Sequence, residues 1–320
     1  MITAVAHPNI ALIKYWGKSD EELIIPSTSS ISVTLDAYKT QTSIELLDDA
    51  RTDSGTLNGI AIEGEELSRI SGFLQHIRNI SGRSEFARIV SVNTVPTAAG
   101  LASSASGFAA LAVAATQAYG LKLSQRELSQ IARRGSGSAA RSLFGGMAIW
   151  NAGTDDRTSF AEQLQWHGEE LEVIVGVINA NRKHTSSREA MRNTALTSPY
   201  YSSWVTSNSD LVLEALEAIK SGDLDRLGKL TELSTMRMHA VMMAANPPVR
   251  YLEPESLQLF DAVLDLRNLG KKIFATADAG PNVKMLCSAE DAEYTLHLLQ
   301  EEFPNFSFLK SKVGGPPRVL

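Results

Sequence analysis

The sequence predicts an α+β protein of two domains, and three observations lead to that class. Its 320 residues exceed what one hydrophobic core usually organises. Strand and hairpin signals crowd the first half, whereas helical periodicity fills most of the second. Near residue 100 an alternating run, a small-residue loop and an Ala-rich run form a strand–loop–helix unit. We expect the boundary near residue 180, giving domains 1–180 and 181–320.

Each element has its own signal. Pro8-Asn-Ile-Ala-Leu-Ile-Lys-Tyr-Trp-Gly-Lys18 contains an apolar strand-like run, and alternation puts Lys14 and Trp16 on one face and Tyr15 on the other. Asn58-Gly59, flanked by Thr56-Leu57 and Ile60-Ala-Ile62, marks a two-residue hairpin turn. Leu67, Ile70, Leu74 and Ile77 recur at helical spacing, and Gly82 ends that helix. Residues 87–93 read as a strand feeding the loop. Phe108, Leu111, Val113 and Ala115 then mark a buried helix that stops at Gly120. Ser124 with Glu127 is a capping box for a helix ending near Gly135. Strands follow over 146–150 and 172–180, helices over 211–219, 224–243 and 257–269, a strand over 272–277 and a last helix over 289–302.

Composition narrows the function. A net charge of -6 argues against non-specific nucleic-acid binding, which needs a basic surface, yet leaves room for local phosphate sites. The single cysteine, Cys287, excludes an intrachain disulfide and a cysteine-rich zinc site. No run of ~18 apolar residues could span a membrane, and the opening residues do not read as a signal peptide. A cytoplasmic enzyme with no membrane or nucleic-acid partner is expected.

Five segments could carry chemistry. Val95 to Gly107 packs small residues before a helix, where uncovered N–H groups and the helix dipole favour an anion; a tightly packed turn fits the local composition equally well. Tyr15-Trp-Gly-Lys18 can bend at Gly17 and aim an ammonium into a cleft, although an isolated lysine usually faces solvent. Gly135-Ser-Gly-Ser-Ala-Ala-Arg141 offers backbone and hydroxyl donors plus a guanidinium able to grip a carboxylate or phosphate with two bonds. Lys183 to Met191 holds two cations and a Ser N-cap candidate, a pattern equally suited to a solvated helix start. Asp278 stands at a strand end before Gly280-Pro281, where a carboxylate can enter a cleft or satisfy turn amides.

Together these segments resemble the GHMP kinase superfamily, and within it the mevalonate diphosphate decarboxylases. Pro96-Thr-Ala-Ala-Gly-Leu-Ala-Ser-Ser-Ala105 resembles the superfamily's phosphate loop. Ala11-Leu-Ile-Lys-Tyr-Trp-Gly-Lys18, Gly135-Ser-Gly-Ser-Ala-Ala-Arg-Ser142 and Asp278-Ala-Gly-Pro-Asn282 resemble the decarboxylase branch. The resemblance implies an N-terminal domain of the ribosomal-protein-S5 type, a C-terminal ferredoxin-like domain and an active site in the cleft between them. It implies ATP-dependent conversion of mevalonate 5-diphosphate to isopentenyl diphosphate, with release of ADP, phosphate and CO₂. Phosphorylating the tertiary hydroxyl turns it into a leaving group, whose departure takes up the electrons left by CO₂.

By the same resemblance, Gly100, Leu101, Ala102, Ser103 and Ser104 hold the ATP phosphates, with the Ser104 hydroxyl on Mg²⁺. Tyr15, Trp16, Gly17, Lys18, Ser136, Gly137, Ser138, Arg141, Ser187 and Arg188 contact a small phosphorylated substrate, and Arg69 reaches its tail. Arg141 holds the carboxylate, Lys18 sits near the reacting hydroxyl and Asp278 is the catalytic carboxylate. The chain departs from many relatives at Thr28 or Ser29, where they have Asn, and at Ala190, where they have Gly. A monophosphate decarboxylase, a 3-kinase that stops after phosphorylation, or a non-catalytic sensor of nucleotide and metabolite would share much of this pattern. A homodimer is expected from the family alone.

Overall fold

The computed structural model describes residues 1–94, 103–178 and 186–320. The chain opens with strands β1 (Ile2–Ala6), β2 (Asn9–Ile13), β3 (Lys18–Asp20), β4 (Ile25–Pro26), β5 (Ser30–Thr34) and β6 (Thr40–Leu47). The hairpin β7 (Ser54–Leu57) and β8 (Ile60–Ala61) follows, then α1 (Gly64–Ser81), β9 (Phe86–Asn93), α2 (Ser103–Ala118) and α3 (Gln125–Gly135). A 3-10 turn (Gly137–Leu143) leads into β10 (Met147–Trp150), β11 (Ala161–Leu164) and β12 (Leu171–Val177). Helices α4 (Ser187–Thr197), α5 (Tyr201–Ser221), α6 (Leu224–Met243) and α7 (Pro254–Asn268) come next. The chain ends with β13 (Ile273–Ala277), β14 (Val283–Ser288), α8 (Ala289–Glu302), β15 (Ser307–Lys312) and β16 (Arg318–Val319).

Local signals explain most N-terminal elements. Asn58 and Gly59 take φ of 51° and 81°, the left-handed pair that a two-residue hairpin turn demands. Gly82 and Gly120 end their helices at φ of 70° and 77°. Ser124 and Glu127 cap α3 reciprocally. A six-stranded sheet in the order β16-β1-β6-β9-β7-β8 packs against α2, whose alanines 109, 110, 112, 114 and 115 let it lie close. A second sheet, β11-β10-β5-β2, lies beside it.

In the C-terminal half, α6 and α7 pack against β13, the edge strand of the antiparallel sheet β13-β14-β12-β15. This α+β layering matches the expected ferredoxin-like arrangement. β12 belongs to this sheet, pairing with β14 and β15 through residues 171–177. We therefore propose the boundary in the 165–170 segment rather than near 180, because a domain's strands follow their ladder partners.

The two halves are fused by apolar contact. Ile10, Leu12, Ile31 and Val33 of the N-terminal sheet share one core with Val173, Leu211, Leu227 and Phe274. The chain's end also returns, β16 pairing with β1, and Leu35 bridges Val313. Such a continuous core fixes the cleft between the halves.

Candidate active site

A cleft of about 390 Å³ opens between the halves, lined by the turn after β2, the start of α2, the 3-10 turn, the start of α4 and the turn after β13. Lys14, Tyr15, Trp16, Lys18, Arg69, Ser104, Ser136, Gly137, Ser138, Arg141, Ser187, Arg188 and Asp278 all reach it. The structure thus brings together most of the residues singled out from the sequence. Of the expected phosphate-loop contacts, Gly100, Leu101 and Ala102 lie outside the described residues, as does Lys183; Ser103 opens α2.

Asp278 stands just past β13, in a turn closed by Gly280 N–H donating to the Asp278 carbonyl at 2.8 Å. Ser256 Oγ donates to Pro281 O at 2.7 Å, and Ile178 N–H donates to Asn282 Oδ1 at 2.9 Å, holding the turn from both sides. The Asp278 carboxylate meets Lys14 Nζ at 2.7 Å.

Lys14 lines the cleft with only 1% of its side chain exposed. Its Nζ also donates to Ala11 O at 3.0 Å, its N–H donates to Ser234 Oγ at 3.0 Å, and its carbonyl accepts from Asn208 Nδ2 at 3.3 Å. Burial pushes the Lys14 ammonium below its ordinary pKa, against the opposing pull of Asp278. Lys18, expected near the reacting hydroxyl, lines the cleft and pairs with Glu21, whereas Lys14 is the lysine set against Asp278. The cause is local: β2 ends at Ile13, and the chain turns at Gly17, whose φ is 87°, into β3. Strand alternation therefore does not continue, and Lys14, Tyr15 and Trp16 all line the same cleft. A Cβ on Gly17 would lie 1.9 Å from Tyr201 Oη, so this turn admits only glycine.

Arg141 is 2% exposed, and burial lowers its pKa to about 10. Its guanidinium donates to Ser30 Oγ and, at 3.3 Å, to Asn9 Oδ1. Its Nε is buried with no partner among the described residues, as is Trp16 Nε1. Two orphaned donors beside one cleft fit an acceptor-rich ligand. Gly137 is small because a Cβ there would come within 2.6 Å of the Trp150 ring. Tyr15 stacks edge-on against that ring at 4.8 Å. Burial pushes the Tyr15 hydroxyl above its usual pKa, keeping it a neutral donor.

Arg69, on α1, donates to Gly135 O and lies 4.3 Å over the Phe108 ring. Burial, aided by the Arg188 charge, lowers its pKa to about 10. Arg133 turns away to pair with Asp156, which gives it a structural task. Ser186 Oγ caps α4 by accepting from Glu189 N–H, which places Ser187 and Arg188 at the cleft mouth. Thr28 and Ala190 do not line the cleft: Thr28 Oγ1 accepts from Asn208 Nδ2 at 2.8 Å, and Ala190 is packed beside Trp16.

A second cavity, about 140 Å³, lies beside the first and shares Arg69 and Ser104 with it. Thr40, Leu57, Ile62, Asn93 and Phe108 help to line it. Sequence reasoning missed this cavity, as well as Asn9 and the placement of Lys14 against Asp278. A lysine directly after a fully buried strand was the available signal, since such an ammonium must find a partner. Among the described residues no three His, Cys, Asp or Glu side chains converge on a metal site. The donor set fits Mg²⁺ carried by phosphates and touched by a hydroxyl, since Mg²⁺ seldom needs an all-protein cage.

Fold and cleft fit an ATP-dependent enzyme of the GHMP kinase superfamily, with two neighbouring cavities that share Arg69 and Ser104. Residues 6–161 match the diphosphomevalonate decarboxylase-like N-terminal domain, and residues 173–318 match the mevalonate 5-diphosphate decarboxylase C-terminal domain. The human diphosphomevalonate decarboxylase is 37% identical over 88% of this chain and 75% of its own length. The crystal structure of the Staphylococcus aureus mevalonate diphosphate decarboxylase is 42% identical with a TM-score of 0.96, covering 100% of this chain and 98% of that one. The Enterococcus faecalis mevalonate diphosphate decarboxylase is likewise 42% identical, with a TM-score of 0.94 and the same coverage. A structure of MDDEF in complex with MVAPP, AMPPCP and magnesium is 43% identical, with a TM-score of 0.95 and the same coverage. The chain belongs to the diphosphomevalonate decarboxylase family.

Proposed function

We propose that this protein converts mevalonate 5-diphosphate to isopentenyl diphosphate, with ATP as phosphoryl donor and Mg²⁺ as counter-ion. The observation that carries this reading is the Lys14–Asp278 pair, set at 2.7 Å in a cleft that also presents Arg141. One cleft thereby offers a carboxylate for the reacting carbon and cations for every anionic group of the substrate.

Arg141 holds the substrate carboxylate, with its orphaned Nε as one donor. Ser136, Gly137 and Ser138 surround the bound anion, while Lys18, Arg69, Ser187 and Arg188 hold the phosphate tail. Tyr15 and Trp16 shape the wall, while Gly17, expected among the substrate contacts, does not line the cleft and serves as the turn that leads to Lys18. Asp278 keeps a fixed negative charge beside C3, stabilising positive charge that develops as phosphate and CO₂ leave. Lys14 orients Asp278 and faces the transferred group. The segment 100–104 cradles the ATP phosphates, Ser104 supplies a hydroxyl to Mg²⁺, and the smaller cavity takes the nucleoside. Bound Mg²⁺ supplies charge neutralisation at the phosphates.

The test is incubation with ATP, Mg²⁺ and mevalonate, its 5-phosphate or its 5-diphosphate in parallel, reading CO₂ and ADP separately. CO₂ with stoichiometric ADP from the diphosphate alone is expected. ADP without CO₂ would make the protein a 3-kinase, CO₂ from the monophosphate would shorten the substrate, and no turnover would leave a binding protein. We also place the enzyme in the cytoplasm as a homodimer. None of the described helices is long and apolar enough to cross a membrane. The dimer rests on family resemblance, and a monomer in sedimentation would rule it out.

A further inference from the structure

Lys284 is 1% exposed, so its ammonium is among the most deeply buried charges in the molecule. It stands on β14 directly opposite Thr276 of β13. Directly opposed residues share a face, so Thr276 and Lys284 lie on one side of the sheet, and Asp278 follows just past the end of β13. Helix α6 covers that side, with Thr235 Oγ1 2.8 Å from Thr276 Oγ1 and His239 Nε2 3.4 Å from Ala277 O. Beneath this cover, Lys284 Nζ donates to Asn282 O at 3.2 Å and lies 3.6 Å from Asp278 Oδ2. Lys14 occupies the other carboxylate oxygen, Oδ1. Lys14 and Asp278 line the cleft, whereas Lys284 does not.

We propose that Lys284 is a positioning residue that serves as the standing counter-ion of Asp278, leaving Lys14 available to the substrate. The two lysines divide one task by location. Lys14 faces ligand and can redirect its proton donors when an anionic group arrives. Lys284 is sealed behind the carboxylate and keeps its contact throughout turnover. Its charge would be too costly to bury in this place without a carboxylate beside it. The proposal rests on the catalytic role given above to Asp278.

Substitution by Met removes the charge and keeps most of the volume. Lys284→Met is expected to lower kcat roughly 10- to 100-fold, the scale of losing a supporting partner, with KM for ATP and for mevalonate 5-diphosphate nearly unchanged. Among the described residues, the charged and titratable groups facing Asp278 include Lys14 from the turn after β2, Arg141 from the 3-10 turn, His239 from α6 and Lys284 from β14. Removing one of these cations moves the acid limb of the kcat/KM profile to higher pH by about one unit. A wild-type kcat, or a reduced kcat with an unmoved acid limb, would overturn the proposal. Thermal melts supply a second reading that needs no turnover. Asp278→Asn strands the buried Lys284 charge, so adding Lys284→Met should raise Tm above that of Asp278→Asn alone. A further fall in Tm in the double variant would also overturn it. If Asp278→Ala retained turnover, the role of Asp278 would fail instead, and the melts would still decide whether the two residues are coupled.

Discussion

Lys14 Nζ lies 2.7 Å from Asp278 Oδ1, joining two cleft residues 264 positions apart, one from each half of the chain. The backbone of Lys14 is held by Ser234 and Asn208, on helices α6 and α5. This ion pair is therefore built by the seam between the halves, and neither half alone contains it.

Removing either partner should stop the reaction by different routes. Asp278→Ala is expected to reduce kcat by at least about 10³-fold, the scale of losing a preorganised charge, while ATP binding persists. Lys14→Met should reduce kcat by roughly 10²-fold or more. It should also lower Tm, because it removes an interdomain contact. Steady-state kinetics with calorimetric ATP titration checks both, and near-normal turnover in Asp278→Ala would remove that residue from the mechanism.

Arg141 cannot be exchanged for lysine. Its Nε has no partner among the described residues and its terminal nitrogens reach Ser30 and Asn9, so the planar fork is fixed before substrate arrives. Arg141→Lys is expected to lower kcat/KM by about 10²-fold or more, with the fold intact by circular dichroism. Wild-type kinetics in that variant would show that Arg141 does not hold the carboxylate.

His239 makes the fold sensitive to acid. Burial, with the Lys14 charge, depresses its pKa from 6.5 to about 4. The unfolded chain thus takes up this proton at higher pH than the native one, so stability is full above pH 6.5 and falls between pH 6.5 and 4. The loss should approach roughly 3 kcal/mol at the lower end. Urea titrations of wild type and His239→Gln across that range check it. An equal pH slope in both would exclude His239 as the source.

Asp53 tests packing away from the cleft. It accepts from Arg78 through both oxygens, at 3.0 and 3.1 Å, and from Ala87 N–H at 2.9 Å, with both side chains buried. Asp53→Ala strands the guanidinium and should cost about 3–5 kcal/mol. Unfolding midpoints that match wild type would show the pair to be dispensable.

How far the site could be read in advance depended on the range of the forces involved. The family motifs brought Arg141, Ser136, Ser138, Arg188 and Asp278 to one cleft, as expected. They did not separate Lys14 from Lys18, because both sit in one motif and only the end of β2 and the turn at Gly17 part them. Lys284 drew no notice, since a lysine inside a strand looks solvated until the sheet is folded under α6.

The sequence by itself determined the elements whose causes are local. The Asn58-Gly59 turn, the Ser124–Glu127 box and the stops at Gly82 and Gly120 each follow from neighbouring residues that fix their own dihedrals or donors. Family motifs added the reaction class. Only the tertiary structure decided which lysine meets Asp278, to which sheet β12 belongs and where the chain's end returns. These depend on contacts between distant segments, whose free energy comes from burial that no single segment can supply.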